Sequence, residues 1–244
     1  MNKPFSLFLI LFLFIFQTAV FSADQACELI DKSRIKTIHI ANFLPASIVQ
    51  DVNVKVSAGY TEKQAKGIVG ELIARTEIEE GKISVPGDPR ERKSIVSFFE
   101  SNGCSVSLKH TGDQGVDDVF IISVANGDRM DRRYNPIFHE SKYDGRCTLK
   151  LSQTKNMCKQ LSIQWLGHSL DKLGRRLKKS EVVNDGVCLV TPNAELEIKA
   201  CGACWKEFRD SIEWLNGQLM SGHFYRTASV LCTSGKLTIY SING

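Results

Sequence analysis

The chain has 244 residues, of which 43% are hydrophobic and 24% are charged, and its formal net charge is +4. These proportions are those of a globular protein with a packed core, and they exclude a low-complexity or mainly disordered chain. The mild positive charge permits a polyanionic partner but does not require one, because weakly basic proteins with neutral ligands are common.

The first 23 residues predict an export signal. Lys3 supplies a positive start, residues 5–16 form an apolar run, and residues 18–23 offer small side chains for cleavage. A retained membrane anchor is the less favoured alternative, because the apolar run is shorter than the roughly 20 residues that a spanning helix needs. We therefore expect a secreted or periplasmic protein without stable membrane association after signal cleavage.

Up to residue 103 the pattern predicts an N-terminal segment, 24–60, and then the helical start of a domain that spans 61–244. The predicted elements are a short helix after Cys27, strands at Ile35–Ala41 and Asp51–Val56, and helices at Glu62–Glu79 and Arg90–Ser101. Thr61 and Gln64 form a capping-box pattern at the start of the first domain helix.

Beyond residue 103 the pattern is richer in strands. The predicted elements are strands at Cys104–His110, Val116–Val124 and Ile137–Tyr143, a helix at Lys155–Lys178, strands at Val187–Thr191 and Leu196–Lys199, a helix at Gly202–Leu219, and one or two strands within Val230–Ser241. This mixed α/β order suits a central sheet flanked by helices, with a C-terminal extension.

Eight cysteines follow the predicted signal. An even number of cysteines in an exported chain favours disulfides, up to four of them, although the pairing cannot be read from sequence. Cys201 and Cys204 form a Cys-x-x-Cys step before a predicted helix, which is also compatible with thiol–disulfide chemistry. A zinc site that adds Cys188 and Cys232 is the other alternative. The complete set is Cys27, Cys104, Cys147, Cys158, Cys188, Cys201, Cys204 and Cys232.

Two acids and a lysine have the spacing of a metal site. Glu140 and Lys142 are two residues apart on a predicted strand, so their side chains share one face. If the preceding strand pairs with this one, Asp117 lies beside Glu140. Two such carboxylates suit a hard cation such as magnesium or manganese, although Glu-x-Lys alone is common on solvated strands.

Four motifs then resemble one known family, in the order in which that family has them. Gly112–Ile121 resembles the second-strand signature of PD-(D/E)xK nucleases, the restriction-endonuclease-like superfamily, and His139–Tyr143 is similar to its third-strand Glu-x-Lys motif. Gly67–Glu71 resembles the helix that presents a further glutamate. Gln160–Trp165 resembles a Gln-Met-Ser-x-x-Trp stretch in nuclease domains of bacterial polymorphic toxins. The resemblance covers about residues 67–173.

The resemblance implies a role for five residues. It makes Asp117 and Glu140 metal ligands, with Glu71 as an additional acid or a ligand of a second metal. It makes Lys142 the group that orients water or contacts phosphate, and Gln160 a contact to the nucleophile or the scissile phosphate. Asp118, where glycine is more usual, leaves the choice between the two aspartates open; Asp117 is preferred because its neighbour should face away.

The resemblance implies a function as well. We expect a restriction-endonuclease-like α/β fold stapled by disulfides, and a secreted nuclease dependent on Mg²⁺ or Mn²⁺ that hydrolyses DNA, with RNA the less favoured substrate. A toxin or effector role would bring an immunity or inhibitor protein as partner. The alternatives are a disulfide-rich binding protein on an inactive nuclease-like fold, and a thiol–disulfide protein that uses Cys201 and Cys204.

Overall fold

The computed structural model describes residues 27–83, 85, 88–104, 106–111, 114–124, 127, 129–152, 158–179 and 203–242. The predicted signal and the predicted strands Val187–Thr191 and Leu196–Lys199 lie outside the described residues. Among the described helices, none is both long and apolar enough to cross a membrane.

The described strands form one six-stranded sheet and a separate two-stranded hairpin. The strands are β1 Ile35–Asn42, β2 Lys93–Ser94, β3 Lys109–Thr111, β4 Gln114–Gly115, β5 Asp118–Ile121, β6 Ile137–Tyr143, β7 Tyr225–Leu231 and β8 Lys236–Ile242. The large sheet has the order β1-β8-β7-β6-β5-β2, and β3 pairs with β4. Within the large sheet β6 and β7 are parallel, and the other neighbouring pairs are antiparallel.

Helices cover both faces of the large sheet. They are α1 Pro45–Ser57, α2 Glu62–Glu79, α3 Ile95–Ser101, α4 Ile163–Lys179 and α5 Ala203–Met220. Apolar residues of α1 and α2 form a core with one face, and those of α3, α4 and α5 form a larger core with the other. The prediction of a mixed α/β sheet flanked by helices is therefore confirmed.

The N-terminal segment and the C-terminal strands are parts of this same sheet. β1 pairs with β8 along its length, with a shift in register between Thr37 and His39. β7 lies beside β6 near the centre of the sheet. Residues far apart in the chain thus form one layer, and the strand with the Glu-x-Lys motif has its parallel neighbour about 80 residues downstream.

The predicted strand Asp51–Val56 is wrong, because these residues lie in α1. Alternating β-branched residues suggested a strand, yet the buried side chains are Ile48 and Val52, which are four residues apart as on a helix. Val54 and Val56 are exposed. Pro45 stands in the first turn of the helix, where its missing N–H costs no hydrogen bond.

The predicted strand Cys104–His110 is also wrong over most of its length. Only its last two residues belong to β3, which pairs with β4 outside the large sheet. Cys104, Val106 and Leu108 are buried and do alternate. Their alternation reflects packing against the α4–α5 core rather than membership of the sheet.

Three disulfides join distant parts of the chain. They are Cys27–Cys158, Cys104–Cys204 and Cys147–Cys232, separated by 131, 100 and 85 residues. The prediction of disulfides is confirmed; Cys188 and Cys201 lie outside the described residues. Because Cys204 pairs with Cys104 and Cys232 with Cys147, these bridges argue against the Cys201–Cys204 redox pair and against the zinc alternative.

Candidate active site

Asp117 lies one residue before β5, at the point where that strand leaves β6. β5 and β6 pair with Asp118 opposite His139, so Asp117 stands level with Glu140. The Oδ2 atom of Asp117 accepts a hydrogen bond from the backbone nitrogen of Ser141 at 2.8 Å. The expected pairing of the two strands is therefore present, and it brings Asp117 to the Glu-x-Lys step.

Glu140 and Lys142 lie on one face of β6 and form an ion pair. Phe138 lies two residues before Glu140, so its side chain points to the same face of β6, and it packs in the core under α3, α4 and α5. Ile137 points to the other face and packs in the core under α1 and α2. The Nζ atom of Lys142 lies 2.5 Å from Oε1 of Glu140, and the two side chains are 24% and 2% exposed. The carboxylate is thus buried while the ammonium group reaches the surface.

Gln160 connects this ion pair to a second segment of the chain. Its Nε2 donates a hydrogen bond to Oε1 of Glu140, and the same oxygen accepts a hydrogen bond from Nζ of Lys142. Its Oε1 accepts from the backbone nitrogen of Ser152 at 3.1 Å, and its own backbone nitrogen donates to the Ser152 oxygen at 3.1 Å. Gln160 is therefore held on both its backbone and its side chain, with its amide directed at Glu140.

The helix after Gln160 begins later than the sequence predicts. α4 starts at Ile163 rather than Lys155; residues 153–157 lie outside the described residues. Leu161 has a φ of 64°, a left-handed conformation that is unfavourable for a leucine. Ser162 then caps the helix, because its hydroxyl accepts from the backbone nitrogen of Trp165 at 3.2 Å. Gln160 thus stands before the helix rather than on it.

Two residues that sequence reasoning missed hold this turn in place. The Oε2 atom of Glu28 accepts from the Ile163 backbone nitrogen at 2.9 Å and from Nη1 of Arg226 at 2.7 Å. The same Nη1 donates to the Leu161 oxygen at 3.1 Å. A carboxylate at a helix N-terminus is favourable. No local pattern could reveal this pair, because its members are 198 residues apart.

Asp118 faces the other side of the sheet, as its alternation with Asp117 predicts. Its Oδ2 accepts a hydrogen bond from Nε of Arg75 at 2.6 Å, and its Oδ1 accepts one from the Ser94 hydroxyl at 2.7 Å. Burial raises the pKa of Asp118 to about 6, although Arg75 and Ser94 act in the opposite direction. The second aspartate therefore belongs to a buried structural network under α2.

The helix that carries Glu71 covers the face of the sheet opposite to the one from which Glu140 projects. Glu71 lies on α2, whose buried residues pack under the same face as Asp118. A Cβ built on the neighbouring Gly70 would lie 3.8 Å from the backbone oxygen of Lys142. Among the described strands, the part of β6 beyond His139 pairs only with β7. α2 thus reaches the correct end of β6, but from its other side.

Other polar residues close in sequence to the motifs have separate environments. His168 cannot share a helix face with Gln160, because Gln160 precedes α4, and burial lowers the pKa of His168. Arg132 forms an ion pair with Glu207 at 3.1 Å, and Arg133 forms one with Asp131 at 2.6 Å. These arginines precede β6, at the end of the strand opposite to Lys142.

The donor set of the site suits a divalent cation of the magnesium type. Within the described ranges, no group of three or more His, Cys, Asp or Glu residues is arranged to hold a metal. Mg²⁺ commonly uses one or two carboxylates and completes its shell with water and substrate phosphate oxygens. Asp117 and Glu140 meet that requirement.

No family model, curated protein or solved structure matches this chain.

Proposed function

We propose that this chain is an exported, divalent-metal-dependent nuclease that hydrolyses phosphodiester bonds of DNA. One observation carries the proposal: Lys142 and Gln160 both contact the buried Glu140 carboxylate, and Asp117 stands level with Glu140 on the neighbouring strand, hydrogen-bonded to the backbone of Ser141. Three separate segments of the chain supply them. Such convergence is not expected of acids and lysines scattered over a solvated surface.

A restriction-endonuclease-like fold is part of this proposal. The motif-bearing elements follow the expected order, with α2 first, then β5 and β6, then α4. One expected strand is missing from this series, because the Cys104–His110 segment lies outside the large sheet. The support comes from the second-strand aspartate and third-strand Glu-x-Lys motif lying at the same level of neighbouring strands.

The residues of the site divide the chemistry between them. Asp117 and Glu140 would hold Mg²⁺ or Mn²⁺, which when bound activates water and stabilises charge on phosphate oxygens. Lys142 keeps its ammonium group beside Glu140, where it can orient the attacking water or contact a phosphate oxygen. Gln160 fixes the Glu140 carboxylate through its amide and would contact the nucleophile or the scissile phosphate.

Export and a biological role are further parts of the proposal. A cleavable signal over residues 1–23 accounts for secretion or a periplasmic location, and the three disulfides favour an oxidising compartment. A nuclease exported in this way fits a toxin or effector, whose producer would need an immunity or inhibitor protein. RNA remains the less favoured substrate.

A second candidate is a disulfide-rich binding protein with a silent nuclease-like site. The observation that favours it is the burial of Glu140, which is 2% exposed and whose Oε1 already receives two donors. Ion pairs of this kind also occur as purely structural networks. The two candidates differ in one property, because only the first requires turnover of a nucleic acid.

Cleavage by the mature chain distinguishes them. The oxidised protein that starts at Asp24 should be incubated with plasmid DNA, single-stranded DNA and RNA, in Mg²⁺ or Mn²⁺, with and without excess chelator. We expect DNA cleavage that stops on chelation. Cleavage that persists in excess chelator would exclude the metal mechanism, and inertness toward all three substrates would favour the silent-site candidate.

A further inference from the structure

A cationic groove lies next to the candidate site. It is a cavity of about 490 Å³, and its charged lining residues are Lys32, Lys150 and Lys159. None of its described lining residues is acidic. None of the three ammonium groups forms an ion pair within the part of the chain that the structure describes. The groove therefore presents three positive charges that form no ion pair with the described residues, although Lys150 interacts electrostatically with Asp144 at longer range.

The floor of the same groove is apolar and recessed. Ile30, Ile35, Leu149 and Leu151 line it. All four are partly buried against the core under α3, α4 and α5. A ligand that fills this groove must combine negative charge with an apolar surface narrow enough to enter it.

The groove is joined to the site through Gln160. Lys159 is the residue before Gln160, and Leu151 is the residue before Ser152, to which Gln160 is hydrogen-bonded. From there the Gln160 amide reaches Glu140. A polymer lying in the groove would therefore extend directly toward the candidate catalytic carboxylates.

A disulfide ties the walls of the groove together. One wall comes from residues 30–35 and another from Lys159. Cys27 and Cys158, which precede these walls, are bonded to each other. The groove is thus preformed, which lowers the entropy cost of binding a flexible ligand.

We propose that this groove binds single-stranded nucleic acid, with phosphates on the three lysines and unpaired bases on the apolar floor; the direction of the strand into the site rests on the proposed function. A single strand exposes the faces of its bases, which can lie against the aliphatic floor, whereas a duplex stacks its bases inside and offers the floor nothing. An anionic membrane is the weaker candidate, because a flat bilayer cannot reach recessed side chains.

Binding can be measured without cleavage. The mature, oxidised Glu140→Gln chain is titrated in chelator against a labelled 15-nucleotide oligothymidylate and against a 15-base-pair duplex, by fluorescence anisotropy from 25 to 200 mM NaCl. The test variant adds Lys32→Gln, Lys150→Gln and Lys159→Gln. The matched control adds Lys55→Gln, Lys63→Gln and Lys236→Gln, which remove the same charge from α1, α2 and the start of β8.

We expect the single strand to bind more tightly than the duplex. The test variant should bind it at least about tenfold more weakly at 50 mM salt, and its salt slope should be lower by about 2, since each neutralised phosphate of a single strand contributes about 0.7. The control should keep both the affinity and the slope. Unfolding curves of both variants verify that the exposed substitutions leave the fold intact.

Three results would contradict the proposal that the groove binds single-stranded nucleic acid. They are equal losses in the test and control variants, duplex binding as tight as single-strand binding, and a lysine-dependent preference for phosphatidylserine vesicles over the oligonucleotide. The proposed function can fail separately. If the test variant loses binding but the parent chain never cleaves, the nuclease function is contradicted and single-strand binding in the groove is supported. Normal cleavage by the parent chain, together with unchanged oligonucleotide binding in the test variant, would keep the nuclease and remove the groove.

Discussion

Two neighbouring aspartates have different surroundings because successive side chains of a strand point to opposite faces. Asp117 lies beside the backbone of β6, next to Glu140, whereas Asp118 is held by Arg75 and Ser94 under α2. A buried carboxylate is costly unless it is paired and hydrogen-bonded. Asp118 is satisfied by structural partners. Glu140 is paired instead with a partly exposed lysine that a phosphate could attract away.

Asp117→Asn and Lys142→Ala should separate metal binding from catalysis. Asparagine keeps the shape of the acid but removes the negative charge, so Mn²⁺ affinity should fall at least about tenfold. Lys142→Ala removes a cation and should leave Mn²⁺ affinity unchanged or higher while cleavage is lost. Calorimetric titration with Mn²⁺ gives the affinities. Equal affinity in Asp117→Asn and the parent chain would remove Asp117 from the ligand set.

Gln160→Ala should have a smaller effect than either. The amide acts on Glu140 through one hydrogen bond, so its loss should cost about 1.4 kcal/mol in the barrier, or about tenfold in rate. Gln50→Ala on the exposed side of α1 is the control. Steady-state cleavage rates decide the matter. A Gln160→Ala chain as active as the control would mean that the amide only packs.

At the scale of elements, β6 carries a different chemistry on each face. Glu140 and Lys142 point toward α4, while His139 and Ser141 lie over the α2 side. There the ring of His139 contacts the Thr227 and Ser229 hydroxyls at 2.8 and 3.0 Å. Burial, with the charges of Arg75 and Lys142, lowers the pKa of His139 to about 3. The histidine is therefore neutral at physiological pH.

Because His139 is neutral in the folded protein, a fall in pH should lower the free energy of unfolding. Its pKa is about 3 in the fold and about 6.5 when unfolded, so its contribution is complete above pH 6.5 and is lost as the pH falls toward 3. Between these two pKa values the unfolded chain binds a proton that the folded chain does not, so the free energy of unfolding falls by about 1.4 kcal/mol per pH unit. His139→Gln should be less stable at pH 7, and its deficit should shrink by pH 4.5. A deficit that stays constant in urea unfolding across this range would contradict the assignment.

The Cys27–Cys158 bridge should matter for the site as well as for stability. It holds Glu28 and Gln160 near each other, at the start of α4. Replacing both cysteines by serine should cost about 2–5 kcal/mol and also reduce cleavage. The Cys104→Ser, Cys204→Ser chain should lose comparable stability but retain more activity at a temperature where both are folded. Equal activity in the two chains would separate the bridge from the site.

Local sequence patterns predicted some elements correctly. The capping box of Thr61 and Gln64 is present at the start of α2, and α5 follows the predicted range within one residue at each end. The Glu-x-Lys strand is β6 in its full predicted length. These succeed because caps, helical periodicity and strand alternation are properties of a few consecutive residues.

The failures and omissions concern the whole molecule. Alternation in residues 51–56 and 104–110 looks like a strand, but only tertiary packing decides which alternating segment joins a sheet. The Glu28–Arg226 ion pair, the three bridges and the parallel pairing of β6 with β7 all link distant positions. A single sequence contains no local signal for them, so the surroundings of Gln160 could not be predicted.

The molecule as a whole also places its charges unevenly. A formal net charge of +4 is small for a nucleic-acid-binding protein. Three lysines that form no ion pair with the described residues nevertheless gather in the groove beside Gln160. Local concentration of charge, rather than total charge, is what would position a polyanion at the site.

The most direct test of the account compares two identical chemical changes. Glu140→Gln alters the buried carboxylate of the site, and Glu213→Gln makes the same change on the exposed surface of α5. Both oxidised chains should retain the fold by circular dichroism. Glu213→Gln should cleave DNA in Mg²⁺ like the parent chain, while Glu140→Gln should be slower by about a hundredfold or more, at least about 2.7 kcal/mol in the barrier. Near-normal, metal-dependent cleavage by Glu140→Gln would place the active site elsewhere.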